Sequence, residues 1–208
     1  MSDWLRDPAE IYRRSFATIH VEADLRRFPE GVRPMVVRMI HACGMPDLAQ
    51  DVRAEGDVIG SVGSALAQGA PILVDARMVA AGLLADRLPE HTSIFCDIGD
   101  PEVALAANVG RTTRSAALVQ RWQSQLTGAV VLIGNAPTCL FQLLDDLVRG
   151  SARPAAIIAT PVGFIGAAES KQALVDADLG IPYVTVLGRR GGSAMAAAAF
   201  NACLVGAQ

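Results

Sequence analysis

A three-layer, Rossmann-like α/β fold with a mostly parallel sheet of about five strands and an N-terminal helical segment is the architecture this chain predicts. Two observations carry the prediction. The first third reads as helical throughout. From Pro71 onward, five short β-branched runs each precede a helical segment: PILVD (71–75), SIFCDI (93–98), AVVLIG (129–134), AAIIAT (155–160) and IPYVTVL (181–187). Strands alternating with helices imply a parallel sheet covered on both faces. No linker, low-complexity tract or internal repeat interrupts the pattern, so residues 1–208 are expected to form a single domain.

Each element has a local reason. Asp7-Pro8 is a cap and first-turn proline for DPAEIYRRSFATI, in which Ile11, Ser15 and Ile19 recur four apart. Pro34 opens PMVVRMIHACG, where Met35, Val36, Met39 and Ile40 form an apolar face and Gly44 a stop. Residues 56–69 hold a helix loosened by Gly60 and Gly63. Further helices are expected over ARMVAAGLLADRL, from Asp100-Pro101, over TRSAALVQRWQSQL (113–126) and over NAPTCLFQLLDDLV. The last two strands run into glycine loops, PVGFIGAAESK (161–171) and GRRGGS (188–193), and the second leads into the alanine-rich MAAAAFNACL.

Bulk properties remove several function classes. The chain is 51% hydrophobic, yet no segment reaches the roughly eighteen apolar residues of a membrane span. The start MSDWLRDPAEIYRR is no signal peptide, so a soluble cytoplasmic protein is expected. A net charge of −3 and only 5% aromatic residues argue against a nucleic-acid surface. Cys43, Cys96, Cys139 and Cys203 are scattered among apolar neighbours without a CxxC pair, as reduced core thiols are.

In a doubly covered sheet, ligands bind outside the carboxyl ends of the strands. Reading those ends off the sequence gives Asp75 with Arg77, Gly134 to Thr138 with Asn135 among them, Pro161 to Gly166, and Gly188 to Ser193. Arg111 and Arg114 flank Thr112-Thr113 just ahead of a helix. Of 18 lysines and arginines only Lys171 is a lysine. Helix starts and cations along one edge favour an anion. The phosphate pattern GxxxxGK[ST] and the dinucleotide pattern GxGxxG are both absent. Arginine forks suit planar carboxylates, so a carboxylate-rich small molecule is the better fit, with a sugar-phosphate or nucleotide enzyme as the competing reading.

Three histidines are candidates for proton transfer, since free imidazole titrates near neutrality. His20 and His91 read as surface residues, whereas His41 closes an apolar helix among small neighbours (MIHACG). The competing expectation for His41 is a buried ring satisfied by a carbonyl. No His, Asp or Glu stands at ligand spacing from His41, so no metal is expected, and GxSxG is absent, which disfavours a serine hydrolase.

The segments IYRRSFATI, RMIHACGM, DARMV, TTRSAA, GNAPT, PVGFIGAAESK and GRRGGSAMAAAAFNA resemble, in order, the signature segments of the precorrin-8X methylmutase family of cobalamin biosynthesis. The resemblance spans about residues 8 to 204. It implies a homodimeric α/β isomerase without a cofactor, its active site formed between subunits. The implied reaction moves a methyl group from C-11 to C-12 of precorrin-8X by a [1,5] shift and gives hydrogenobyrinate. The family's catalytic histidine matches His41, expected to protonate the macrocycle; its substrate contact matches Ser15 and its pocket arginine Arg114. A macrocycle rimmed by carboxylates implies apolar walls from Met78, Val162 and Phe164. It implies donors from Arg77, Thr113, Arg114, Asn135, Gly163, Lys171, Arg189 and the Gly191-Gly192-Ser193 turn, with either Arg13 or Arg14 facing the site. Two alternatives stand beside this expectation: a cobalt-precorrin-8 methylmutase of the anaerobic branch, and a non-catalytic hydrogenobyrinate carrier.

Overall fold

The computed structural model describes residues 4–205; Met1 to Asp3 of the starting segment MSDWLRDPAEIYRR lie outside them. Nine α-helices and six strands follow one another in that span. In order they are α1 (Pro8–Glu22), α2 (Arg33–Cys43), β1 (Val52–Glu55), α3 (Val58–Ala67), β2 (Ile72–Val74), α4 (Arg77–Ala81), β3 (Ile94–Phe95), α5 (Pro101–Val109), α6 (Arg114–Trp122), β4 (Val130–Ile133), α7 (Pro137–Val148), β5 (Ala156–Ala159), α8 (Ala167–Asp176), β6 (Tyr183–Val186) and α9 (Ser193–Val205). Among the described residues no helix is long and apolar enough to cross a membrane, and all four cysteines are free thiols.

The strands form one sheet in the order β1-β6-β5-β4-β2-β3, with every neighbouring pair parallel except β1 and β6. The five predicted strands are all present. The sixth, β1, is a correction: Val52 pairs antiparallel with Val186 at the sheet edge. Its sequence VRAE holds two charges in four residues and so lacks the apolar run that marks the other five.

Strand alternation divides the core into two. Ile72, Val74, Val130, Leu132, Ala156, Ile158, Val184 and Val186 face one layer, with α2, α3, α4 and α9 packed over them. Leu73, Val131, Ile133, Ile157 and Ala159 face the other, beneath α5 to α8. Such period-two partition of fully buried strands is what a sheet covered on both faces requires. Helix α9 is apolar all round and correspondingly central: α2, α3, α4, β4 and β5 all contact it.

Local chemistry sets the helix ends that matter for the site. Asp7 caps α1 by accepting from the Ala9 amide at 3.0 Å, with Pro8 in the first turn. Gly44 ends α2 in the left-handed region (φ 69°), its N–H donating to the Ile40 carbonyl, which fixes His41 in the last turn. The helix expected over ARMVAAGLLADRL stops at Ala81. Asn201 of α9 accepts from the Leu84 amide and donates to the Gly82 carbonyl, so a tertiary bond takes over where the helix ladder would run.

Candidate functional site

His41 is an exposed side chain at the end of α2, held from α1. The Ser15 hydroxyl meets its Nδ1 at 2.9 Å. The rings of Tyr12 and Phe16 lie 5.4 and 5.2 Å from the imidazole, and the Arg38 guanidinium stacks on Phe16 at 5.6 Å. Tyr12, Ser15 and Phe16 are three and four residues apart, the spacing that puts side chains on one helix face. The face thus grips the ring on its sides and at Nδ1, and among the described residues Nε2 has no partner. In the imidazolium both nitrogens carry a proton: Nδ1–H then donates to the Ser15 oxygen, and the unpartnered Nε2–H is the proton that can be given up, after which Nδ1 can accept from the Ser15 hydroxyl. The buried, carbonyl-satisfied reading of His41 is therefore corrected: its partner is a serine hydroxyl and its outer edge is open. His20 and His91 are exposed, as expected.

A second cluster forms where β5 and β6 end. Met45, Val162, Gly163, Phe164, Arg189, Arg190, Gly191 and Met195 line an apolar cleft of about 290 Å³. Met45 follows α2 directly, so the cleft opens beside the His41 end of that helix. Arg189 lies over the Phe164 ring at 5.4 Å, and Phe164 itself is 81% exposed. No acid pairs with Arg189 among the described residues, whereas Arg190 bonds Asp47 at 2.6 Å and also Asp51. Gly191 has no room for a side chain: a Cβ there would stand 2.3 Å from the Thr160 carbonyl oxygen. That close approach lets the Gly192 amide donate to the same carbonyl at 2.7 Å, while the Gly163 amide donates to the Arg189 carbonyl at 3.2 Å.

The third cluster sits between β2 and β4, where the strand order reverses. This is the usual ligand position of such sheets, and here a protein carboxylate occupies it. Asp75, fully buried, accepts from the amides of Gly134, Asn135 and Ala136 at 2.7 to 2.9 Å. Burial, the larger cause, raises its carboxyl above the ordinary value, and the three amides oppose that shift. A group that accepts from three donors with two oxygens acts as the carboxylate. Above it the Asn135 side chain is exposed, as are Met78 (72% exposed), Arg77 and Arg114. Gly134 packs against the backbone of Ser193, which joins this cluster to the glycine loops.

Several expected contacts are not available to a ligand. Lys171 is fully buried, neither a rim donor nor a surface lysine; its Nζ donates to the Arg190 carbonyl at 2.5 Å, and burial pushes its ammonium down to about 8. Ser193 is also buried, at the start of α9. The amides of Gly163 and Gly192 are taken by carbonyls of the neighbouring loop and strand end. Thr113 caps α6 through Ala116 and bonds the Thr138 hydroxyl at 2.7 Å. Arg77 runs against the backbone of Gly99. Arg13 and Arg14 both pair with Glu10, so neither is singled out. Ser15, His41, Met78, Arg114, Asn135, Phe164, Arg189 and Gly191 remain accessible or line the cleft. Sequence reasoning missed Tyr12 and Phe16, whose spacing with Ser15 was the available signal, and the Arg190–Asp47–Asp51 group, for which local sequence held none. Among the described residues no cluster of His, Cys, Asp and Glu could hold a metal ion.

Comparison with known proteins bears directly on this geometry. The CbiC precorrin-8X methylmutase family model matches residues 10–205. Precorrin-8X methylmutases from Pseudomonas aeruginosa and a Sinorhizobium species are each 51% identical, covering 97% and 96% of this chain and 97% and 95% of their own lengths. The cobalt-precorrin-8 methylmutase of Priestia megaterium is 34% identical over 94% of this chain and 86% of its own. A crystal structure of precorrin-8X methylmutase from Thermus thermophilus superposes with a TM-score of 0.83 at 36% identity, covering 94% of both chains. By matched length, identity and fold, the chain belongs to the precorrin-8X methylmutase family.

Proposed function

We propose that the protein is an isomerase of cobalamin biosynthesis that moves the C-11 methyl group of precorrin-8X to C-12, giving hydrogenobyrinate. The observation that carries the catalytic part is the His41 cradle: Ser15 holds Nδ1, two tilted aromatic rings pack beside the imidazole, and Nε2 is left without a partner among the described residues. Migration breaks the C-11–methyl bond and forms the C-12–methyl bond without change of composition. A proton lent by His41 to the macrocycle therefore has to be recovered within the turnover, a task for a single general acid whose ring is fixed and whose outer nitrogen is accessible. No cofactor enters this scheme.

The macrocycle's apolar face fits Met78, Val162 and Phe164, and its rim carboxylates fit Arg114 and Arg189, neither of which has an acid partner among the described residues. Asn135 forms the outer edge of the binding surface, with the Gly191 turn beneath it, whereas Arg14, Arg77 and Thr113 are held by partners within the protein. Higher identity to the relatives named for precorrin-8X supports the metal-free substrate over the cobalt-bearing one. A cleft of about 290 Å³ lies at the small end of ligand sites and covers only one edge of a tetrapyrrole. Phe164 and Ile165 stand 81% and 90% exposed beside it, an apolar surface that a second subunit would cover. Both features support a homodimer that completes the site at its interface. We place this single-domain enzyme in the cytoplasm, and assign it neither a nucleic-acid nor a membrane partner.

The test is turnover of precorrin-8X by the purified protein and its His41→Ala variant, followed by absorbance. The expected result is conversion by the wild type, and binding of hydrogenobyrinate without conversion by the variant. Binding without turnover by the wild type would instead identify a product carrier.

A further inference from the structure

Among the described residues Lys171 is the one buried cation, lying beneath the glycine loops, and the scheme above gives it nothing to do. Its single bond, to the Arg190 carbonyl, places it under a loop whose backbone is tied at every turn. The Arg189 carbonyl accepts from Gly163, the Arg190 carbonyl from Lys171, and the Gly192 carbonyl from the Thr160 hydroxyl. The Arg190 side chain is pinned outside by Asp47 and Asp51. Residues 188 and 189 form a bend, so fixing the next residue, Arg190, at its carbonyl and at its guanidinium holds the bend from which Arg189 reaches over Phe164 at the cleft.

We propose that Lys171 and Arg190 are positioning residues that present Arg189 to a rim carboxylate of the substrate. The inference rests on the rim role given to Arg189 above. A buried ammonium suits the task because a charge-assisted bond to a carbonyl is stronger than a neutral one, and its partner is left unsatisfied when it is removed. Asp51, on the far side of Arg190, is the acid that favours the charged form of Lys171.

The experiment is a double-mutant cycle on the full protein, measuring kcat and KM for precorrin-8X and the Kd for hydrogenobyrinate by absorbance. Lys171→Met is expected to raise KM and product Kd about tenfold with kcat within about twofold, the size of one lost charged hydrogen bond. Arg189→Ala is expected to do the same. The double variant should be no worse than Arg189→Ala alone, because the lysine acts through that side chain. A purely architectural lysine would give losses that multiply, or a fall in kcat at unchanged KM; either overturns the proposal. Should Lys171→Met fail to fold, Asp51→Asn removes one of the two carboxylates that hold Arg190 from outside. It is expected to raise KM about threefold, again without further loss on Arg189→Ala; multiplying losses there overturn the proposal equally. A wild type that neither binds nor converts the tetrapyrrole overturns the functional reading itself, and is told apart from these outcomes by that wild-type result.

Discussion

Around His41 the polar contacts come from side chains on two packed helices, whereas in the glycine loops they come from the backbone. Ser15, Tyr12 and Phe16 hold a ring that stays exposed. The loops bury Lys171 and Ser193, spend the Gly163 and Gly192 amides on each other, and offer the solvent little beyond Phe164 and Arg189. A group that moves a proton needs one free atom held still; a surface that recognises carboxylates needs a cation held at the right place over an apolar wall. The two regions should accordingly fail in different ways when altered.

The largest expected effect is that of His41→Ala. Loss of a general acid should lower kcat about 10²- to 10⁴-fold, with the Kd for hydrogenobyrinate within a few-fold, as read by product formation and absorbance titration. Asp75→Ala should act on the scaffold instead. It strands three buried amides, and a denaturant titration is expected to show a loss of about 3 kcal/mol; an unchanged midpoint would mean that the β2–β4 junction does not depend on the carboxylate. Gly191→Ala forces a methyl group against the Thr160 carbonyl. It should cost about 1–3 kcal/mol and raise KM while sparing kcat, which would separate the loops from the chemistry. Ser15→Ala removes the Nδ1 partner and should lower kcat about tenfold at unchanged KM, the worth of one well-placed hydrogen bond. An equal rise in KM would blur the division between the regions.

A separate effect is in the pH dependence of stability. Lys171 titrates near 8 in the folded protein against an ordinary 10.5. Below pH 8 the folded and unfolded chains both carry the proton and the cost of burying it is fully present. Between about 8 and 10.5 the unfolded chain holds more protons, so stability rises with pH through this window. Urea unfolding at pH 7 and pH 10 should show that increment in the wild type and its absence in Lys171→Met.

Much of the scaffold and part of the site could be read from the residues. Five strands were visible because a strand covered on both faces is apolar throughout, and β1 was not, because an edge strand carrying Arg53 and Glu55 has no such signature. The early stop of α4 depends on Asn201, some 120 residues away, and no local pattern encodes it. His41 was singled out by its place at the end of an apolar helix, its catalytic role and that of Ser15 came through a resemblance, and their contact required the packing of α1 on α2. Lys171 misled for a physical reason: position near the start of a helix does not say which face is buried. Arg189 and Arg190 are chemically identical in sequence, and only the distant Asp47 and Asp51 separate the loop anchor from the open cation.

The most direct test compares His41→Ala and Arg189→Ala in single turnover, with enzyme in excess over precorrin-8X. The division of labour predicts that His41→Ala forms the complex but leaves it unconverted. Arg189→Ala should need more enzyme to form the complex and then convert it at the wild-type rate. Wild-type conversion by His41→Ala, or a slowed chemical step in saturated Arg189→Ala, would contradict it.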